Sequence, residues 1–276
     1  MPQDVPREKI DNLIARVPNG SMLALPKDES GVPMEATRSL IRRGIKGLHL
    51  LCVPVSGLQP DLLIGAGCAE IVECGGIVLS ELGVGPRFRA AVREGKLHLK
   101  DSSCPVIHAG LQAGEKGLPF VAIRGFMGSD LLSHRDDWRV IENPFVAYDD
   151  PVLLVPPINP DVFIFHVALA DRFGNVWIAG RRDLAYTAHA SKTVLVTAEK
   201  IIDESLYDDE FMAAGTLSAE YVTAIAHAPG GAWPLGLARH YDEDRGHLRE
   251  YARLARTADG FGEYLSAFVY LRDAVA

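Results

Sequence analysis

The chain has 276 residues, 48% of them apolar and 23% charged, with a formal net charge of −8. That is enough apolar material for a substantial core and excludes global disorder; the length admits one or two domains. With 28 basic against 36 acidic residues and no block of like charge, there is no positive stripe of the kind a phosphate backbone requires, so nucleic acid is not an expected partner.

The N-terminal stretch Met1 to Glu8 has neither a basic n-region nor an apolar h-region, and a cytoplasmic location is expected. Glu8 to Arg16 has helical spacing at Ile10, Leu13 and Ile14, and Pro18-Asn19-Gly20 stops it. Ser21 to Leu25 reads as a strand, Pro33 to Arg43 as a helix and Leu48 to Val53 as a buried strand, together one strand–helix–strand unit. From Leu62 to Gly85 the chain is crowded with glycine, and Phe88, Ala91 and Val92 mark a short helix ending at Gly95. Asp101-Ser102-Ser103-Cys104-Pro105 combines cap residues with a proline, so a helix is predicted from there to about Glu115, followed by a strand over Pro119 to Ile123. Prolines 144, 151, 156, 157 and 160 surround one short apolar run, Val152 to Val155, which predicts a rim or subdomain seam near 143–160 within a single domain of residues 1–276. Asp161 to Leu169 and Lys192 to Thr197 are β-branched and almost continuously apolar, which places them in the middle of a sheet. Tyr221 to Ala226 reads as a last strand, with helices over Glu243 to Ala255 and Phe261 to Leu271. The alternation predicts an α/β fold, an open and mostly parallel sheet flanked by helices. No apolar stretch is long enough to span a bilayer.

Several patterns bear on chemistry. Gly65-Ala66-Gly67 lacks the third glycine and the acidic residue of a dinucleotide fingerprint. Glu81, in the glycine-rich Ser80-Glu81-Leu82-Gly83-Val84-Gly85, has the character of an exposed carboxylate nucleophile, or simply of a solvent-facing residue at a strand end. Ser103 and Cys104 at a helix start would face an anionic group or a developing oxyanion, or Ser102 or Ser103 would merely cap the helix. Arg124, before Gly125 and Gly128, suits bidentate binding of a carboxylate or a structural ion pair. His166, within an apolar strand, is read as a satisfied core histidine. Cys52, Cys68, Cys74 and Cys104 lack C-x-x-C spacing, and the histidines lack metal-face pairing, so neither a disulfide framework nor a metal site is expected. No Gly-x-Ser-x-Gly elbow occurs.

Taken together and in order, several segments resemble the A subunit of family I coenzyme A transferases, most closely the glutaconate CoA-transferase type. They are Leu62 to Gly67, Gly85 to Arg89 with Glu94-Gly95, Gly110 to Gly114 leading to Gly117-Leu118-Pro119-Phe120, Arg124 with Gly128-Ser129-Asp130, Pro160-Asp161-Val162 with Ala170-Asp171 and Gly174-Asn175-Val176, Ala228 to Ala232 with Pro234, and Tyr241 to Asp244. The resemblance implies the CoA-transferase and sugar-phosphate-isomerase type of α/β fold, no permanently bound cofactor, and coenzyme A as a thioester substrate. It implies a CoA-transferase B subunit as partner in a heterodimer or heterotetramer, supplying the nucleophilic glutamate that transfers CoA between an acyl-CoA and a small carboxylic acid. On that reading no catalytic residue is expected on this chain. Ser103, Cys104 and Arg124 line or orient the acyl pocket, Gly128 lies beside it, and Gly31 lets a loop approach the substrate. Glu81 loses weight as nucleophile, because its motif lies at a different place in the subunit pattern. Two departures bear on the acyl substrate: a glycine pair is absent from Leu25 to Pro33, and Trp233 stands where many relatives have histidine. Some relatives are CoA-thioester hydrolases that open a carbocyclic ring with acid–base groups from the A subunit, for which Asp101 is the nearest candidate. A remote alternative is a ligand-binding sensor module, which would need a DNA-binding appendage that the short N-terminal segment does not offer.

Overall fold

The structure is a computed structural model and describes residues 5–271. It opens with β1 (Arg7–Glu8) and α1 (Ile10–Ile14). The first predicted helix is thus confined to its centre, because Glu8 joins the sheet and Arg16 pairs back onto it. Then follow β2 (Met22–Leu25), α2 (Met34–Arg43), β3 (Leu48–Cys52), α3 (Leu58–Gly65), β4 (Ala69–Cys74), α4 (Pro86–Arg93), β5 (His98–Asp101) and α5 (Cys104–Glu115). The strand–helix–strand unit falls where the pattern placed it. The glycine-crowded stretch conceals β4, which alternation alone does not reveal because Gly67, at φ +69°, turns the chain straight from α3 into it.

Three strands, β6 (Val121–Ile123), β7 (Arg139–Glu142) and β8 (Pro151–Val155), form a separate antiparallel sheet of order β6-β8-β7. The chain continues with β9 (Val162–Asp171), β10 (Val176–Trp177), α6 (Arg182–Ala190), β11 (Thr193–Ile202), α7 (Glu210–Ala213), β12 (Thr216–Leu217), β13 (Ala224–His227), α8 (Arg245–Leu254) and α9 (Ala258–Leu265). The last predicted strand starts three residues late, since Ala219–Tyr221 close a 3-10 turn first.

The main sheet runs β1-β13-β11-β9-β2-β3-β4-β5, every pair along that path parallel, with β10 antiparallel at the end of β9. The two strongest apolar runs, β9 and β11, sit side by side at its centre. From β2 the order proceeds outward to β5; the chain then returns to β9 on the other side of β2 and proceeds the opposite way. The β2/β9 boundary is therefore the topological switch point, where open α/β sheets form a crevice at the strands' carboxyl ends.

Side-chain alternation divides the core into two layers. Leu23, Leu50, Val72 and Ile164 face α2, α3, α8 and α9, while Ala24, Leu51, Phe163 and Val196 face α5 and α6. On the first layer, fully buried Asp61 of α3 accepts from the Phe88 amide (2.7 Å) and the Tyr251 hydroxyl (2.6 Å), tying α4 and α8 to one carboxyl. Desolvation outweighs these donors and pushes Asp61 up to about 6. Gly85 is required there, because a Cβ would lie 2.4 Å from Asp61 Oδ1.

The small sheet packs Leu153, Val155 and Trp138 against Val106 in the first turn of α5. It is also pinned by charge. Arg135, stacked 4.3 Å from the Trp138 ring centre, donates to Glu73 of β4 (2.8 Å), to Asp137 and to the Asp101 carbonyl oxygen (3.0 Å). Burial opposes ionisation of Glu73, yet His49, Arg135 and Lys100 hold its pKa below the usual value. Among the described residues, no helix is long and apolar enough to cross a membrane.

Candidate active site

Because the main strands are parallel, the loops that follow them collect on one edge, and four of these loops build the site. After β2, the segment 26–33 crosses β9 at the switch point. There Gly31, at φ +82°, lies so close that a Cβ would sit 2.0 Å from the His166 carbonyl oxygen, and the His166 amide donates to the Gly31 carbonyl oxygen at 2.8 Å. In the same segment Asp28 accepts from the Gly57 amide (3.0 Å) at the start of α3. Desolvation dominates over the Gly57 and Leu58 amides and pushes the carboxyl up to about 7.

After β4, Gly75 and Gly76 pass the start of α5; a Cβ on Gly75 would lie 3.4 Å from the Cys104 amide nitrogen and 3.5 Å from Ser103 Cα. The segment then turns through Ser80–Leu82, where Glu81 is exposed. After β5, which Asp101 ends with an exposed side chain, comes the N-terminus of α5. Cap residues are present there, but no side chain caps the helix: the Ser102 and Ser103 hydroxyls are buried and have no partner among the described residues. Simple N-capping is thus not what these serines do. Cys104 is a free, exposed thiol on the first helical residue, while the other three cysteines are buried and free.

The fourth loop, 228–243, is held by a buried network. His166 is 1% exposed and fully satisfied as expected, Nδ1 to Thr197 Oγ1 and Nε2 to Glu199 Oε1, each at 2.8 Å. Glu199 also accepts from the Tyr241 hydroxyl (2.6 Å) and the Gly230 amide (2.8 Å), and the Tyr241 oxygen accepts from the Ala232 amide (3.1 Å). Desolvation opposes the charge, but those donors overcome it and hold Glu199 down at about 2. Trp233 packs between Arg38 and His247 and donates to Asp244. Loops 26–33, 79–82 and 235–243 enclose a cleft of about 290 Å³.

Gly31, Glu81, Asp101, Ser103 and Cys104 therefore share one edge. Arg124 and Gly128 belong to the small sheet, where exposed Arg124 grips Asp150 through Nε (3.1 Å) and Nη2 (2.6 Å), the ion-pair alternative, and Gly128 turns the chain at φ +79°. Asp28, Glu199 and Tyr241 escape sequence reasoning; only Tyr241 lies in a segment that carries the family resemblance. Gly65-Ala66-Gly67 ends a helix and binds no loop of the site; a Cβ at Gly65 would meet Phe261 at 2.5 Å. No cluster of three or more metal-ligating residues occurs among the described residues.

This edge, built of parallel strands with an uncapped helix terminus and close glycine crossings, is the ligand-binding edge expected of an open α/β enzyme fold. Residues 7–213 match the family described as Coenzyme A transferase, and the chain belongs to that family. It is 32% identical to the A subunit of 3-oxoadipate CoA-transferase from Pseudomonas knackmussii over 95% of this chain and 92% of the relative. It is 30% identical to the A subunit of glutaconate CoA-transferase from Acidaminococcus fermentans, over 86% of this chain and 79% of that one. The crystal structure of glutaconate coenzyme A-transferase from that organism superimposes with a TM-score of 0.89 at 29% identity, covering 95% of this chain and 88% of the other. The cholesterol ring-cleaving hydrolase IpdA subunit of Rhodococcus jostii is 26% identical over 86% of this chain and 82% of its own length.

Proposed function

We propose that the chain is the A subunit of a heteromeric CoA-transferase that moves CoA between an acyl-CoA and a small carboxylic acid, with the nucleophilic glutamate on the B subunit. The observation that carries the reading is the uncapped N-terminus of α5 beside Gly75-Gly76, with two buried serine hydroxyls that find no partner among the described residues. Free amides and the positive end of a helix favour the negative charge that develops on a thioester oxygen under attack. Ser103 and Cys104 line that position, and Gly31 allows the loop after β2 to lie down on β9. Arg124, paired with Asp150, and Gly128 lie beside the small sheet, whose core rests on the first turn of α5, and take no direct part on this reading. In the reaction the partner's glutamate attacks the thioester carbonyl and CoA leaves as thiolate. The thiolate then attacks the glutamyl carbonyl of the mixed anhydride and the first acid departs as carboxylate. A second carboxylate reverses these steps. The thioester's free energy is kept in glutamyl-CoA rather than lost to water.

A hydrolase on the same heteromer is the second reading, favoured by the exposed carboxylate of Asp101 one residue before the helix-terminal serines. Borohydride reduction or hydroxylamine capture in the presence of acyl-CoA separates the two. A transferase yields a modified glutamate on the partner chain; a hydrolase that uses water directly yields none. Replacement of every glutamate of this chain in turn, with the B subunit intact, should leave no position behaving as a nucleophile. Selective loss at Glu81 would sink the assignment.

A further inference from the structure

The cleft at the switch point differs in character from the helix terminus beside it. Its walls are apolar, from Leu58, Leu79, Leu237 and Leu248, and at about 290 Å³ it has the size of a small ligand site. Four carboxyl side chains line it, Asp28, Glu29, Asp242 and Glu243, and among the described residues no lysine or arginine does. Arg245, next to the rim, is paired through Nε with Glu243 at 3.0 Å. The segment 75–82 is a shared wall: Gly75 adjoins the α5 N-terminus, and Leu79, Ser80 and Leu82 face the cleft. The loop after β4 thus touches the helix terminus at one end and the cleft at the other.

Resting on the transferase reading, we infer that the cleft holds the acyl chain of the CoA ester and selects acyl groups that carry no second carboxylate. An apolar chain buries its methylenes against the leucines. A terminal carboxylate in the same place would lose its hydration among like charges with no cation to meet it, which is discrimination by repulsion. The raised pKa of Asp28 agrees with a poorly hydrated cleft that already resists negative charge. The Glu199–Tyr241 network fixes the wall formed by the 235–243 loop, since Tyr241 lines the cleft and its hydroxyl is held by Glu199 and Ala232.

The test uses the assembled heteromer and two five-carbon esters, pentanoyl-CoA and glutaryl-CoA, titrated by calorimetry. Pentanoyl-CoA should bind at least tenfold more tightly. The double variant Glu29→Gln/Asp242→Asn, which removes two charges without breaking any hydrogen bond of those side chains described above, should narrow the gap at least threefold. Leu82→Trp, which fills the cleft, should weaken pentanoyl-CoA at least tenfold. Equal affinities, tighter glutaryl-CoA, a gap untouched by the double variant, or no binding of either ester would overturn the inference. Glutamyl-CoA trapping in the same preparation reports separately on the transferase reading. Discrimination without a trapped adduct would remove transfer and leave the pocket standing.

Discussion

Replacing Gly31 by alanine tests the crossing on which the site's geometry rests, and Gly20 supplies a matched control. Both glycines have left-handed φ, +82° and +75°, but a Cβ at Gly20 meets nothing within 4 Å. The backbone strain of alanine in this region, about 1 kcal/mol, is common to both. At Gly31 the added carbon would stand 2.0 Å from the His166 carbonyl oxygen. Since β9 is a central strand paired on both sides, it is the 26–33 loop that must lift. Lifting stretches the 2.8 Å bond from the His166 amide to Gly31, which leaves a buried donor unpaired at about 1–3 kcal/mol. The residual overpacking costs about another 1–3 kcal/mol. The expected loss is about 4 kcal/mol for Gly31→Ala against about 1 kcal/mol for Gly20→Ala. In a thermal melt this corresponds to falls of roughly 8–16 °C and 2–4 °C for a chain of this size. Urea unfolding followed by tryptophan fluorescence gives the free energies. Two variants within 1 kcal/mol of each other would refute the close crossing.

Three further outcomes follow from the charged and polar clusters. Arg135→Met should destabilise by about 3 kcal/mol, because it removes the 2.8 Å partner of the buried Glu73 carboxylate and leaves it only His49 and Lys100, at 3.5 and 3.6 Å, read as a shift in urea midpoint; a loss below 1 kcal/mol would mean that the small sheet is held by its apolar contacts alone. Asp61, raised from 3.8 to about 6, keeps its proton in the fold when the unfolded chain has lost it. Wild-type stability therefore falls through this group as pH rises from about 4 to 6. Asp61→Asn should gain on the wild type across that window by about 3 kcal/mol and hold the gain above it, and a difference independent of pH would contradict the raised pKa. Tyr241→Phe removes the acceptor for the Ala232 amide and a donor to Glu199. The Gly230 and Ala232 amides should then exchange with deuterium at least tenfold faster, and unchanged protection would show that the loop is held elsewhere.

The parts of this molecule that depend on near neighbours could be read from the chain alone. β9 and β11 declare themselves by β-branched apolar runs, α5 by its Ser-Ser-Cys-Pro start, and the turns by glycine and proline. Hydrophobic patterning and local dihedral preference act over a few residues, so they leave their mark in order. The family resemblance implied one site for Gly31, Ser103, Cys104, Arg124 and Gly128; the fold gathers Gly31, Ser103 and Cys104 with Glu81 and Asp101 on one edge and leaves Arg124 and Gly128 beside the small sheet. Only the fold decided which groups are occupied elsewhere. Arg124 could serve a substrate or an ion pair on sequence grounds, and it takes Asp150, 26 positions on. Ser102 and Ser103 look like caps and prove to be buried hydroxyls without a partner among the described residues. Asp61 and Tyr251 meet across 190 positions and Glu199 and Tyr241 across 42, pairs whose energy comes from a shared desolvated environment that does not exist until the sheet has formed. The sequence by itself determined the long apolar strands, the start of α5 and the turns; the tertiary structure determined which polar groups find a partner and which do not, because burial and long-range pairing are properties of the packed chain.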